Sequence, residues 1–255
     1  MTLINQVAIV FGGSSGIGQA TAHRLAAEGA SVAVVASGAL AKASLVSDAI
    51  VALGGKARPY AADVREPDQI NALVAQVERD LGPIDILINS AGVYFQTLIG
   101  ETEEADFDRM VDVNLKGTFF TINAVAPGMK ARGRGRIVNV ASVAGVRGSP
   151  RFPLYSATKA SIIMLTKALA ADLAPHGVHI NAIAPGNTAT ALNLSERQDP
   201  ANAELMKSKA AATPSKRVYS PPEEMAAAIY FLVGGEMNAM YGATMLIDEG
   251  LSSCV

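Results

Sequence analysis

Residues 6–30 read QVAIVFGGSSGIGQATAHRLAAEGA, and this stretch decides the fold class. It opens with a short run of apolar residues, passes through a glycine-rich turn and continues into a segment of helix length. A run that is apolar on nearly every residue is typical of a parallel strand covered on both faces. A strand followed directly by a helix is also the first half of a βαβ unit, so the stretch predicts an α/β protein.

The same alternation of a short apolar run and a longer helical pattern continues along the whole chain. We predict a doubly wound, Rossmann-like α/β fold in which a seven-stranded, mainly parallel sheet carries helices on both faces. No low-complexity linker or internal repeat divides the sequence, so we expect residues 1–255 to form a single domain. The predicted strands are 6–11, 31–36, 57–62, 84–89, 135–141, 178–184 and 243–248.

The composition excludes several classes of partner. A formal net charge of −2 offers no strong positive field to hold nucleic acid or an anionic membrane. A single cysteine, Cys254, allows no disulfide within the chain, and three separated histidines form no ligand cluster, so we expect no metal. No apolar run is long enough for a signal peptide or a bilayer span, and we expect a cytoplasmic protein. We interpret Arg132, Arg134 and Arg136 as a solvated turn, and Asp85 as a solvated or capping residue.

The glycine-rich turn after the first strand predicts a phosphate site. Gly12 would allow a tight turn, Gly16 would let a pyrophosphate approach the backbone, and Gly18 would let the helix pack close to the sheet. Ser14, Ser15 and Ile17 lie between them, where amides of the first helical turn face an anion. A glycine triplet alone is a weak signal, because turns collect glycine. Its position between a strand and a helix favours dinucleotide binding, and no Gly-Lys-Ser/Thr of a Walker A loop follows.

A second candidate site lies in PLYSATKA, residues 153–160. Tyr155 and Lys159 are four residues apart, so on a helix their side chains lie on one face. Ser142 follows the fifth predicted strand, at the edge of the sheet where such folds bind ligands. Each residue also has an ordinary interpretation: Ser142 as a loop or capping residue, and the other two as unrelated surface residues.

The spacing G-x-x-x-G-x-G together with Tyr-x-x-x-Lys resembles the short-chain dehydrogenase/reductase family over nearly the whole chain. Four further segments resemble that family in order: NSAG at 89–92, DVNLKG at 112–117, NVASVAG at 139–145 and NAIAPG at 181–186. The resemblance implies an NAD(P)-dependent oxidoreductase that transfers a hydride between a nicotinamide cofactor and a carbonyl or secondary alcohol. The alternative is a catalytically silent dinucleotide-binding or regulatory protein of the same fold.

The resemblance implies four catalytic roles. Tyr155 would exchange a proton with the substrate oxygen, and Lys159 would lower the phenol's pKa from its usual value near 10 and hold the nicotinamide ribose. Ser142 would donate to the substrate oxygen where charge develops. Asn114 would hold a water that links the lysine to solvent, or would serve only as a buried amide that satisfies backbone.

Further cofactor contacts are implied after the third, fourth and sixth strands. The residues are small or polar, and each could also serve only to build its loop. They are Asp63, Val64, Asn89, Ala91, Gly92, Pro185, Gly186, Thr188 and Thr190.

The end of the second strand bears on the choice between NADP and NAD. An acidic residue there would bind the ribose hydroxyls of NAD and repel a 2′-phosphate. The sequence has Ser37 instead, with Lys42 as a distant charge, and the arginines common in NADP-dependent members are missing at positions 15 and 37. Small neutral residues leave room for a phosphate, so we favour NADP and keep NAD as possible.

The remaining expectations concern the substrate and the assembly. Residues 187–216 are predicted to form a lid over a moderately apolar carbonyl or alcohol substrate, with Phe95 and Phe152 in the same pocket. The resemblance implies a homo-oligomer, a tetramer or a dimer, that pairs through long helices near 103–132 and 153–174 and the C-terminal segment. The departures from the family pattern are Phe11, where threonine is usual, Ser90, where a second asparagine is usual, and YG at 241–242 and DEG at 248–250, where Thr-Gly and Asp-Gly-Gly are frequent.

Overall fold

The computed structural model describes residues 2–38 and 40–253, and Cys254 lies outside them. Within these ranges seven strands form one sheet in which every pairing is parallel, in the order β3-β2-β1-β4-β5-β6-β7. This order reverses direction at β1, as in a doubly wound fold. The strands are β1 Val7–Phe11, β2 Ser31–Ala36, β3 Lys56–Ala61, β4 Ile84–Asn89, β5 Gly135–Val140, β6 Val178–Pro185 and β7 Thr244–Ile247.

Helices connect the strands and continue beyond β6 into a group of short elements. No helix in the described ranges combines the length and apolar character needed to cross a bilayer. The helices are α1 Gly16–Ala27, α2 Leu40–Ala52, α3 Pro67–Leu81, α4 Glu104–Val111, α5 Gly117–Arg132, α6 Ala144–Arg147, α7 Pro153–Leu173, α8 Leu194–Gln198, α9 Ala203–Ala212 and α10 Pro222–Val233.

Alternation along the strands builds a separate core on each face of the sheet. In β1, Ile9 packs in a cluster with residues of α3, α5 and α7, while Ala8 and Val10 pack with residues of α1, α2 and α10. Successive side chains of a strand point to opposite faces, so a strand covered on both sides must be apolar throughout. This explains why β1 and β4 are buried at every position.

The observed strands confirm the predicted fold class, and each strand end falls within one residue of its prediction. The predicted long helix at 103–132 is interrupted, however. Between α4 and α5 the segment Asp112–Lys116 forms one π-helical turn. Such turns insert one extra residue into a helix and are frequent at functional sites.

The structure corrects the predictions for Asp85 and Arg136, whereas the side chain of Arg134 is 72 % exposed, as predicted for a solvated turn. Asp85 is only 8 % exposed, and its carboxylate accepts hydrogen bonds from the amide of Val7 at 3.1 Å and from Arg134 at 3.3 Å. Arg136 belongs to β5 and donates to the side-chain oxygen of Asn238 at 2.7 Å. These groups tie the amino ends of the strands together, because a buried charge needs partners.

Candidate active site

A cavity of about 680 Å³ lies beyond the carboxyl ends of the strands. Its walls come from the segments that follow β1 to β6, so the strand order fixes the sequence of groups along it. Residues after β3 and β2 line one end, the glycine loop after β1 lines the centre, and residues after β4, β5 and β6 line the other end. The cavity is therefore an elongated crevice at the edge where doubly wound sheets bind ligands.

The glycine loop holds the backbone against the neighbouring strand. Gly12 has φ +77°, and a Cβ there would lie 2.6 Å from the amide nitrogen of Ala91. A Cβ on Gly18 would lie 2.2 Å from the carbonyl oxygen of Gly12, which fixes the close approach of α1 to the loop. Gly18 is buried outside the cavity. The other predicted residues of this loop line the cavity at the start of α1, namely Ser14, Ser15, Gly16 and Ile17.

The end of β2 and the segment after β3 form one end of the cavity. The amide of Ala62 donates to the carbonyl of Ala36 at 3.1 Å, so Ser37 and Asp63 lie on neighbouring segments. Asp63, Val64 and Ser37 line the cavity as predicted.

Arg65 also lines this end, and sequence reasoning missed it. Its guanidinium donates to both carboxylate oxygens of Asp63, with a shortest distance of 2.6 Å. Those hydrogen bonds lower the pKa of Asp63 and hold the arginine at the cavity wall. The end of β2 has no acidic residue, and the neighbouring segment after β3 brings the cation of Arg65 to the same end of the cavity.

The segment after β4 divides its predicted residues between two roles. Ala91 and Gly92 line the cavity. Asn89 is buried away from it: its amide donates to Asn139 at 2.9 Å, and its oxygen accepts from Thr121 at 2.7 Å. The side chain of Asn89 therefore binds β4 to β5 and α5 and does not line the cavity, and its predicted cofactor contact stays a prediction.

Tyr155 and Ser142 meet at the far end of the cavity. Ser142 follows β5, is buried, and accepts a hydrogen bond from the amide of Ala144 at 3.1 Å. Tyr155 lies in the first turn of α7. Burial raises the pKa of Tyr155 to about 12, and a hydrogen bond with Ser142 acts in the opposite direction. The phenol is therefore protonated at neutral pH in the polypeptide by itself, and the expected lowering by Lys159 is not seen.

Lys159 is 6 % exposed and lies one turn after Tyr155 on the same face of α7. Its ammonium donates to the carbonyl of Val140 at 2.8 Å and lies 5.7 Å from the centre of the Tyr155 ring. Burial lowers the pKa of Lys159 to about 8. The ammonium of Lys159 thus lies in the cavity lining and loses its proton more easily than the ammonium of an exposed lysine.

Asn114 lies in the π-helical turn and does not line the cavity. Its oxygen accepts from the amide of Val93 at 2.8 Å, and its amide donates to the carbonyl of Val93 and to Thr158. The backbone carbonyl of Asn114 accepts from Thr118 at 2.9 Å. The side chain therefore connects the segment after β4 to α7, which carries Tyr155.

The segment after β6 closes the remaining side of the crevice. Pro185, Gly186, Thr188 and Thr190 all line the cavity, as predicted. The amide of Val143 donates to the carbonyl of Pro185 at 2.9 Å, which joins this segment to the one that carries Ser142.

Aromatic side chains line the cavity beside Tyr155. The rings of Tyr94 and Phe152 stack with centroids 4.4 Å apart, and Tyr94 meets the ring of Tyr155 edge-on at 4.9 Å. Phe152 lines the cavity as predicted, but Phe95 does not and instead packs under Arg109. Tyr94 was missed, although it comes two residues after the NSAG segment.

The segment predicted as a lid covers this same end with polar groups. Glu196 of α8 accepts hydrogen bonds from Lys209 of α9 and from Tyr219, and all three residues line the cavity. Burial acts to raise the pKa of Glu196, but the hydrogen bonds from Lys209 and Tyr219 outweigh it and lower the pKa. Leu192 also lines the cavity, while Leu194, Leu205 and Met206 of the same segment do not. None of the three polar residues was singled out by the sequence.

Together, the doubly wound sheet, the glycine loop and the Ser-Tyr-Lys cluster define a dinucleotide-binding protein with a catalytic constellation at one end of its crevice. The sequence model of the short chain dehydrogenase family matches residues 6–201. The chain belongs to this family, which confirms the predicted resemblance and the predicted class of enzyme.

Relatives of known description match almost the full chain. A 3-oxoacyl-(acyl-carrier-protein) reductase of Thermotoga maritima is 37 % identical over 98 % of this chain and 99 % of its own length. A short-chain reductase of Streptomyces niveus is 39 % identical over 96 % of this chain and 93 % of its own. Among solved structures, a gluconate 5-dehydrogenase of Burkholderia cenocepacia in complex with NADP and tartrate is 33 % identical and covers 99 % of this chain and 97 % of its own, with a TM-score of 0.92.

Proposed function

We propose that the protein is an NADP-dependent oxidoreductase that interconverts a carbonyl compound and a secondary alcohol. The single observation that carries this proposal is the convergence of Ser142, Tyr155 and Lys159 at one end of the cavity whose centre is the glycine loop. When bound, the cofactor supplies or accepts the hydride. The residues of the chain bind both partners and move the proton.

The crevice fits a dinucleotide. Its backbone at Gly12 approaches Ala91 so closely that no side chain can intervene, and Gly16 opens α1 toward the cavity. A helix start of this kind favours a pyrophosphate, because its free amides and its dipole both attract an anion. We propose that the cofactor is held by Gly12, Ser14, Ser15, Gly16, Ile17, Ser37, Asp63, Val64, Ala91, Gly92, Tyr155, Lys159, Pro185, Gly186, Thr188 and Thr190.

NADP is favoured over NAD by the charges at the adenosine end. The wall after β2 carries the neutral Ser37, and Arg65, which is paired with Asp63, contributes a cation to the same cavity. A carboxylate after β2 would repel a 2′-phosphate, whereas an arginine attracts one. The gluconate 5-dehydrogenase that was solved with NADP, at 33 % identity, supports the same choice.

The proton transfer is assigned to Tyr155. Burial raises the pKa of Tyr155 to about 12, so at neutral pH the phenol carries the proton that a reduced carbonyl oxygen needs. Ser142 is hydrogen-bonded to Tyr155. It would donate a second hydrogen bond to the substrate's carbonyl oxygen as negative charge develops there. In the direction of alcohol oxidation the phenol must first lose its proton, which a nearby cation favours.

Lys159 and Asn114 would assist the proton transfer without donating the proton themselves. The ammonium of Lys159 supplies positive charge beside the Tyr155 ring and would also bind the cofactor's ribose hydroxyls. Asn114 would act as a positioning residue, since its side chain holds Val93 and Thr158 rather than facing the cavity. The role predicted for it, holding a water near the lysine, stays a prediction.

The rival function is a binding protein that has kept the fold without catalysis. Such a protein needs the glycine loop, but it has no need of a buried lysine next to a buried phenol. The desolvation of Lys159 is costly, and strongly shifted groups in a cleft are typical of catalytic sites. Membership of a family of dehydrogenases also favours the enzyme.

The domain organisation and the assembly are part of the proposal. A single sheet that includes both the first and the last strand supports one domain, with residues 187–216 as a lid over the substrate end.

Exposed apolar side chains on α5, α7 and β7 support a dimer or tetramer, with Phe119 42 %, Met164 62 % and Leu246 47 % exposed. Light scattering after size exclusion would test the assembly. The predicted location in the cell stays a prediction.

Two measurements test the proposed activity. Fluorescence titration of the purified protein with NADPH and NADH should show binding, with tighter binding of NADPH. The absorbance of the reduced nicotinamide should then fall when ketones are added to the NADPH complex. Binding without any turnover would support the rival function, and the absence of both would contradict the assignment to a dinucleotide enzyme.

A further inference from the structure

We propose that Glu196 selects the substrate, and that the substrate is a carbonyl compound with a hydroxyl group at a position away from the reacting carbon. This inference rests on the proposed function and specifies the substrate class of the same site. Its starting point is the carboxylate of Glu196, which lines the cavity and is still 29 % exposed at its side chain.

The two oxygens of this carboxylate are used unequally. Lys209 and Tyr219 both donate to Oε1, while Oε2 has no hydrogen-bond partner among residues 2–38 and 40–253. An ionised carboxylate offers about four acceptor positions. Glu196 therefore presents an unused acceptor at the wall of the catalytic cavity, and a donor on the substrate can occupy it.

The position of Glu196 relative to the reacting phenol supports a role in substrate selection. The ring of Tyr94 meets the Tyr155 ring edge-on at 4.9 Å, and Tyr94 and Glu196 line the same end of the cavity. Burial raises the pKa of Tyr94, and the negative charge of Glu196 adds to this effect, which is consistent with their proximity. A substrate whose carbonyl binds at Tyr155 would thus direct its other end toward Glu196.

The free oxygen of Glu196 favours a hydroxyl over an anionic group, because Oε2 can only accept a hydrogen bond. The cations near it donate to other oxygens: Lys209 to Oε1, Arg151 to the side-chain oxygen of Gln96 at 3.2 Å, and Arg197 to the carbonyl of Thr190. An added substrate carboxylate would meet Oε2 with like charge. A hydroxyl would instead form a charge-assisted hydrogen bond, which is stronger than a neutral one.

The test compares substrates of one shape. We would measure kcat/KM with NADPH for cyclohexanone, for the ring-hydroxylated cyclohexanones and for a ring-carboxylated cyclohexanone. A hydrogen bond to a charged group is expected to favour the best hydroxylated ketone over cyclohexanone by about ten- to a hundredfold. The carboxylated ketone should be the poorest substrate.

The variant Glu196→Gln sharpens the comparison. It should lower the ratio of kcat/KM for the hydroxylated ketone to kcat/KM for cyclohexanone, and raise kcat/KM for the carboxylated one. A purely structural role for Glu196 would lower all three together. The matched control is Glu204→Gln on α9, a lid carboxylate that is 84 % exposed, which should keep the wild-type ranking.

The outcomes separate this inference from the proposed function. If the wild type consumes NADPH with none of these ketones, the inference about Glu196 is wrong, and the proposed activity is then decided by the NADPH titration and the other ketones of the activity test. If the wild type reduces cyclohexanone as efficiently as its hydroxylated forms, or prefers the carboxylated one, the inference about Glu196 is wrong while the oxidoreductase stands. The wild-type ranking alone decides this point even where the variant does not fold.

Discussion

The ammonium of Lys159 lies 5.7 Å from the centre of the Tyr155 ring and donates its hydrogen bond to the carbonyl of Val140. Among the described atoms the two groups are therefore neighbours that share no hydrogen bond. Because burial places the pKa of Tyr155 at about 12 and that of Lys159 at about 8, the lysine loses its proton first as pH rises.

This order predicts the pH dependence of ketone reduction. The phenol stays protonated at neutral and mildly alkaline pH, so it does not limit the rate there. We expect kcat/KM for reduction to fall as pH rises through about 8, because Lys159 loses the charge that binds the cofactor. The Lys159→Met variant should have low activity without this decline, and an unchanged decline in that variant would assign the titration to another group.

Replacing Tyr155 by phenylalanine should remove the proton donor and little else. We expect turnover to fall by about 10²- to 10⁴-fold, the usual contribution of a general acid, while NADPH affinity changes slightly. The matched control is Tyr60→Phe. It removes a hydroxyl on β3 that donates a hydrogen bond to Asp80 of α3 and lies outside the cavity lining. Steady-state kinetics and fluorescence titration measure the two effects. A Tyr155→Phe enzyme with normal turnover would disprove the assigned role.

Cofactor choice should depend on Arg65. The Arg65→Met variant is expected to weaken NADPH binding by about tenfold and to leave NADH binding nearly unchanged, because only NADPH carries the 2′-phosphate. Arg58→Met is the control, since Arg58 is also on the β3 side but pairs with Asp80 and does not line the cavity. An equal loss for both cofactors would indicate that Arg65 contacts the adenine instead.

The glycine loop gives a test of the steric argument. In Gly12→Ala the new Cβ would lie 2.6 Å from the amide nitrogen of Ala91, so we expect loss of nucleotide binding and of stability. Gly54 has a similar positive φ, but a Cβ there meets nothing within 4 Å. Gly54→Ala should cost only about 1 kcal/mol of backbone strain and keep binding intact. Chemical denaturation and NADPH titration distinguish the two variants.

Acid stability should depend on Glu249, where the family often has glycine. Glu249 has φ +59° and accepts hydrogen bonds from Arg217 and from Ser220, which lower its pKa from 4.5 to about 2. A carboxyl with a lowered pKa contributes stability that is fully present above pH 4.5 and is lost as pH falls through about 2. In Glu249→Gln this part of the acid dependence should disappear from the unfolding free energy. Glu204→Gln should keep it.

The strands could be predicted to within one residue because burial on both faces leaves a continuous apolar signal. In β4, for example, Ile84, Ile86, Leu87 and Ile88 are all fully buried. The glycine loop could be found for a similar reason, since only glycine fits a backbone approach as close as that of Gly12 to Ala91. Both signals lie within a few neighbouring residues of the chain. They can therefore be read without knowing which distant residues the segment contacts.

Groups whose partners are distant in sequence were not predicted. Asp85 looked like a surface carboxylate, but its partners Val7 and Arg134 lie 78 and 49 residues away. The cluster of Glu196, Lys209 and Tyr219 comes from separate short elements, none of which shows a periodic pattern. Arg65 was missed because a charged residue in a loop gives no local signal of whether its side chain faces a cavity or bulk solvent.

The π-helical turn at Asp112–Lys116 restricts how this protein can be redesigned. Because the turn accommodates one extra residue, removing one would restore regular α-helical winding there. Asn114, which lies inside the turn, would then lose the position from which its side chain binds Val93 and Thr158. Chimeras and loop grafts between β4 and β5 therefore have to preserve the residue count of this segment, even where its side chains can be exchanged.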